Sequence, residues 1–335
     1  MGKSKLNNGA VMKRLLGFVG ILMLGWVNLA FGGTVTVSGT STVFTTIQAG
    51  VNACPEGGTV SVAAGTYTEV IYINKGIALI GIGTPTIDAS GLGATNTVTF
   101  TGSNTNNAVI FGVVITGATG TGSIGNGIYC KNNAGPTIIN NIISGNNHDG
   151  IDCNSSSPSI TNNIVAMNGV YGIQCSDSSS PFIINNILTG NIEDGIYCSS
   201  SFSIPTITNN TISGNGGHGI WCGFSSSPII TNNIITGNGT TNAGYGIYLA
   251  SGTPTINYND VWGNNGLPTT YNYHNCGAGT YDISTNPQFI GEVDYHLQST
   301  SPCINKGTST APNIPITDKD GNPRIIGNIV DMGAY

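Results

Sequence analysis

The chain has 335 residues, of which only 7% are charged, with 50 glycines, eight cysteines and a formal net charge of −6. Lys3, Lys5, Lys13 and Arg14 cluster at the N-terminus, and the rest of the chain carries only Lys75, Lys131, Lys306, Lys319 and Arg324 against fifteen acidic residues, a formal −10. So acidic a body is a poor partner for nucleic acid, and its wealth of Ile, Val and Thr argues against disorder.

The N-terminal basic residues precede an uncharged run, Leu15 to Val27, and Ala30 and Gly32 then offer small residues at the −3 and −1 positions of a cleavage site. This predicts a signal peptide over residues 1–32. The run is shorter than the ~20 residues a membrane span needs, so the mature chain is expected to carry no span and to be secreted or held at the cell surface. Residues 33–100 are assigned to an N-terminal cap and the first coils. Within them Thr45 to Cys54 has apolar residues at 47, 51 and 54, the spacing of a short amphipathic helix.

A repeat dominates residues 101–266. Gly-Ile-x-Cys begins at Gly127, Gly150, Gly172, Gly195 and Gly219 and degenerates at Gly246, with spacings of 22 to 27 residues. Pro136, Pro158, Pro181, Pro205, Pro228 and Pro254 each open a second segment, Pro-x-Ile-x-Asn-Asn-x-Ile/Val, which keeps only Asn259 in its last copy. Apolar residues alternate, as in strands with one buried face. The period also suits leucine-rich repeats, but Gly127 to Leu249 contains only two leucines and no helix-forming segment. The remaining solution is an all-β parallel β-helix of stacked coils, in which like residues repeat at ~4.8 Å along the axis. Stacking explains the asparagines as a structural ladder, each amide pairing with those above and below. Cys130, Cys153, Cys175, Cys198 and Cys222 fall in one inward column and are read as packed thiols rather than a metal site.

Residues 267–335 lose the period and are expected to form an irregular C-terminal cap, in which Cys276 and Cys303 are the candidate disulfide of an oxidising compartment. Asp318 to Asn322 has some look of a calcium loop but lacks the later glutamate, so a plain turn is expected. The residue pattern calls for no cofactor or metal.

Gly-Ile-x-Cys with Pro-x-Ile-x-Asn-Asn-x-Ile-x-x-Gly-Asn resembles the right-handed parallel β-helix repeats of pectate lyases, polygalacturonases and alginate epimerases. Asp294-Tyr295-His296-Leu297, Ser301-Pro302-Cys303-Ile304 and Asp331-Met332-Gly333-Ala334-Tyr335 are similar to the closing module of bacterial surface β-helix proteins. The resemblance implies a right-handed coil and a glycan partner. It does not carry uronate lyase chemistry with it, because the repeat block offers Lys131 and no arginine as base. Gly217-His218-Gly219 matches one polygalacturonase element, but the partner Asp motifs are missing.

Hydrolysis needs only two carboxylates at suitable separation. Asp149 and Asp194 share a column two coils apart, ~10 Å by ladder spacing, with Asp152 and His218 nearby; these four are the candidate catalytic residues. Tyr129, Tyr197, Trp221 and Tyr248 stand between the inward Ile and Cys, so they point outward and are the candidate sugar-binding residues. The leading expectation is a polysaccharide-binding surface protein without turnover. The alternatives are a hydrolase of neutral glycans and a purely architectural protein.

Overall fold

The computed structural model describes residues 33–335 apart from 122, 123, 201 and 328; the expected signal peptide lies outside the described residues. The chain winds through about nine coils. Strands of mostly three or four residues stack into three long sheets, of eleven, nine and nine strands. Strand pairing is parallel from coil to coil; among the described strands it is antiparallel where Val35–Val37 joins Val43–Phe44 and Thr59–Ala63 at the N-terminal end, and where Ile325–Ile326 joins Ile329–Val330 near the C-terminus. No described helix is long and apolar enough to cross a membrane.

In the coils, the three-residue strands of the first and second sheets turn their middle residue inward, and the core is built from these columns together with those of the third sheet. Ile138, Ile160, Ile183, Ile207 and Ile230 line the first sheet, and Ile143, Val165, Leu188, Ile212 and Ile235 the second, all fully buried. The third sheet places two residues per strand inward, the isoleucine and cysteine of Gly-Ile-x-Cys. Cys130, Cys153, Cys175, Cys198 and Cys222 stack in register with Phe100 before them and Leu249 after. All five are buried free thiols, small apolar fillers of a β-branched core.

The corners carry the polar structure. Between the first and second sheets Asn141, Asn163, Asn186, Asn210, Asn233 and Asn259 form the expected ladder. Asn186 is typical: its backbone N donates to Asn210 Oδ1 (2.9 Å), and its Nδ2 donates to Asn210 Oδ1 (3.0 Å) and to Ile160 O (2.8 Å). The preceding residue of each pair, Asn140, Asn162, Asn185, Asn209 or Asn232, is left-handed with φ between 54° and 60°, a conformation asparagine tolerates. A second ladder, Asn146, Asn168, Asn191, Asn215, Asn238 and Asn264, holds the corner between the second and third sheets. Its left-handed position is glycine in five coils but Met167 (φ 55°) in one.

The N-terminal end is closed by helix α1, Ile47–Ala53. Thr46 caps it through Ala49 N, and Glu69 accepts from Ile47 N (2.7 Å) and Gln48 N (2.9 Å). Its buried residues include Ile47 and Val51, as the spacing predicts. At the other end the coil outlasts the sequence period: Tyr273–His274 pairs with the strand Ile247–Leu249, and Ile283 bridges to Asp260. Later residues then run back along the outside as a strap over the second sheet and its corner. Tyr295 Oη meets Thr189 Oγ1 (2.8 Å), Asn232 Nδ2 donates to Thr308 O (3.0 Å), Asn209 Nδ2 to Asp331 O (2.9 Å), and Ala334 N to Thr211 Oγ1 (3.1 Å).

The expected Cys276–Cys303 disulfide is absent, and both are free thiols. Cys276 packs against the inner core, while Cys303 lies outside the second sheet with Ile234 and Met332, its Sγ 3.1 Å from Asp260 Oδ2. A sheet separates the two. The turn expected at residues 318–322 forms, with Asp318 Oδ1 accepting from Asp320 N and Asn322 N.

Two substitutions test this account in opposite directions. Asn210→Ala leaves the buried backbone N of Asn186 without an acceptor and its Nδ2 with Ile160 O alone, and is expected to cost about 2–5 kcal/mol in urea unfolding. Met167→Gly relieves a left-handed non-glycine residue and is expected to stabilise by about 1 kcal/mol in the same assay.

Candidate functional site

The outer face of the third sheet collects the residues with chemical potential. One column follows the strand register Tyr129, Asp152, Gln174, Tyr197, Trp221, Tyr248, His274. A second, in the turn just before each strand, holds Asn126, Asp149, Tyr171, Asp194, His218, Tyr245 and Tyr271. Here each side chain tends to accept from the backbone of the next coil: Asn126 Oδ1 from Asp149 N (3.1 Å), Asp149 Oδ1 from Tyr171 N (3.0 Å), Asp194 Oδ1 from His218 N (2.6 Å) and His218 Nδ1 from Tyr245 N (2.9 Å).

Three of the four candidate catalytic residues, Asp149, Asp194 and His218, are therefore tied into the scaffold. Asp149 is fully buried, Asp152 is 4% exposed and Asp194 6%. Asp149 and Asp194 do not face each other across a cleft, because Tyr171 stands between them in the column. His218 accepts a hydrogen bond at Nδ1, so that nitrogen carries no proton; burial, with a smaller contribution from His274, pushes its pKa down to about 4. Asp194 is pushed up to about 7 by burial.

Asp152 departs from its expected place. Its backbone puts it in the outward column, yet its carboxyl is enclosed. Asn126 Nδ2 lies 3.5 Å from Oδ2, and Oδ1 has no hydrogen-bond partner. Burial first, and the neighbouring Asp149 second, push its pKa up to about 7. Asp149 Oδ2 accepts no hydrogen bond and faces His148 Nδ1 at 3.3 Å; that carboxylate draws the His148 pKa upward. His148 was not singled out by the repeat, since it stands one place before the variable slot.

The aromatic residues form a ladder. Tyr171 stacks on Tyr197 at 4.3 Å with planes 2° apart, and Tyr197 on Trp221 at 4.4 Å. Phe224 tilts against Trp221 at 5.9 Å, and a Cβ at Gly223 would collide with the indole. Tyr248 stacks between His218 and His274, 4.4 Å from each. Tyr129 stands apart from these stacks, with Lys131 Nζ 5.5 Å over its ring. The spacing singled out Tyr197, Trp221, Tyr248 and Tyr129; Tyr171, Tyr245, Tyr271 and His274 join them from the neighbouring turn and the final coil.

Residues 66–212 and 126–291 match the family model described as the right handed beta helix region. The chain belongs to the right-handed β-helix family. Among solved structures, this β-helix is similar to pectate lyase Pel9A, with a TM-score of 0.51 and 16% identity over 86% of this chain and 90% of that one. It also matches the A-module of mannuronan C-5 epimerase AlgE4 from Azotobacter vinelandii, with a TM-score of 0.38 and 18% identity over 72% and 92%. No curated protein matches the sequence.

The buried acids give the β-helix a pH dependence of fixed sign. The folded pKa of Asp152, about 7, lies above the ~3.9 of an unfolded aspartate. Its contribution to stability is thus full below about pH 4 and is lost as pH rises through about 7. Asp194 acts in the same direction. The urea midpoint of the wild type is expected to fall between about pH 5 and pH 8. Asp152→Asn, which mimics the protonated acid, is expected to flatten that fall and to be more stable at pH 8 by up to about 4 kcal/mol.

Proposed function

We propose that this protein is an exported or cell-surface β-helix that binds a polysaccharide along the outer face of the third sheet without turning it over. The observation that carries this reading is the stacked run Tyr171, Tyr197, Trp221 on a face where Asp149 and Asp194 are withdrawn into backbone hydrogen bonds. Rings stacked this closely cover one another's faces. What they offer a ligand is edges: phenol hydroxyls and an indole N–H set along the axis, at the spacing of the coils. Such groups exchange hydrogen bonds with the hydroxyls of an extended glycan, while Phe224, 63% exposed, adds an apolar rim. A pectate lyase on the same fold is compatible with a polysaccharide partner. The scarcity of cations on this face disfavours a polyuronate.

One observation favours a second reading, hydrolysis of a neutral glycan. Asp152 is a buried acid held near neutrality, as a proton donor requires, and a second buried carboxyl group, that of Asp149, lies near it. A glycan array followed by a reducing-sugar assay on the positive glycans decides between them. The expected result is binding without product, and binding at least tenfold weaker in Trp221→Ala, a loss of about 1.4 kcal/mol or more. Product formation abolished by Asp152→Asn would establish the hydrolase instead.

A further inference from the structure

The turns joining the third sheet to the first vary in length along the solenoid. Five residues separate Cys130 from Pro136, Cys175 from Pro181 and Cys222 from Pro228, and six separate Cys198 from Pro205, but only four separate Cys153 from Pro158. The short turn leaves a depression between its longer neighbours. A groove of about 520 Å³ lies there, lined by Asn106, Asn133, Ser155, Ser157, Asp177 and Ser178 among others. Asn133, Ser155, Asp177 and Ser178 all have left-handed backbones, with φ between 49° and 68°.

Its chemistry is specific. The lining is amide and hydroxyl with a single charge, that of Asp177. Asn154 Nδ2 donates to Asp177 Oδ2 at 2.7 Å and fixes the carboxylate at the rim. Lys131, the one cation of the repeat block, is drawn over the Tyr129 ring and does not line the groove. Carboxamides and hydroxyls pair with sugar hydroxyls in either sense. A fixed carboxylate with no cation beside it favours an ammonium group and disfavours a uronate, sulfate or phosphate.

We propose that this groove is a second saccharide site, taking a cationic amino-sugar unit with Asp177 as partner of the ammonium. The inference deepens the reading of the third sheet as a polysaccharide-binding face by naming a sugar class, but it rests on separate residues and fails separately. Calorimetry in mildly acidic buffer tests it, using fully deacetylated chito-oligosaccharide, its N-acetylated neutral counterpart and an oligogalacturonate. The wild type is expected to bind the cationic oligomer most tightly. Asp177→Asn is expected to weaken that binding at least about tenfold while leaving the neutral oligomer unaffected. Gly135→Ala, whose new Cβ would lie 2.8 Å from Asn106 Oδ1, is expected to weaken it as well. Glu292→Gln removes an exposed acid outside the groove and is expected to change nothing. Equal weakening by Glu292→Gln would reduce the effect to general attraction between opposite charges and overturn the proposal. So would preference for the neutral or anionic oligomer, or indifference to Asp177→Asn. Loss of binding in Asp177→Asn with none in Trp221→Ala would leave the groove standing and remove the aromatic face.

Discussion

Every coil of this molecule is buried between copies of itself, and that constraint governs the rest. A polar group at a corner cannot reach water along the axis, so its partner must be the equivalent group one coil away. Asparagine satisfies this because its amide carries donor and acceptor together: Oδ1 receives from one neighbouring coil while Nδ2 gives to the other, and to a carbonyl besides. The two asparagine ladders are therefore continuous chains of hydrogen bonds, and each fixes the register of the strands on either side of it.

The same constraint shapes the outer face of the third sheet. A ring above a ring at coil spacing stacks by default, so an aromatic column is first a stabilising ladder and only then a surface for a ligand. Its acids obey the turn-column rule as well. Asp149 and Asp194 occupy positions where other coils place Asn126 or His218, and they perform the same service to the next backbone N–H. Asp152 has no such partner for Oδ1, which leaves it as the acid of this face with protonation, rather than hydrogen bonding, to offset its burial.

What was legible in the sequence is what the ladder forces to repeat. The Gly-Ile-x-Cys and Asn-Asn spacings reveal the coil, the inward thiols and the first asparagine ladder, because each depends on identity with its neighbour one period on. Contacts that break periodicity left no such trace. Tyr171 stacks on Tyr197 although the two belong to different columns. Asp152 points outward by alternation yet is enclosed, because alternation gives a direction and not the size of the neighbours. The Cys276–Cys303 pairing failed for a related reason: sharing one aperiodic segment says nothing of which side of a sheet each cysteine reaches.

The asparagine pairs show how closely coil and strap are joined. The inner residue of each pair belongs to the ladder, and the outer one takes the left-handed turn. Asn185, Asn209 and Asn232 also donate their Nδ2 groups to the returning strap, at Thr317 O, Asp331 O and Thr308 O. Asn140 keeps the same backbone geometry and is exposed; Tyr258 takes that geometry in the last copy, so the turn favours asparagine without requiring it. Where the strap passes, the side chain that the turn favours becomes its anchor. The docking of an aperiodic tail is thus supported by residues already present for the coil, and the repeat needs no further change to receive it.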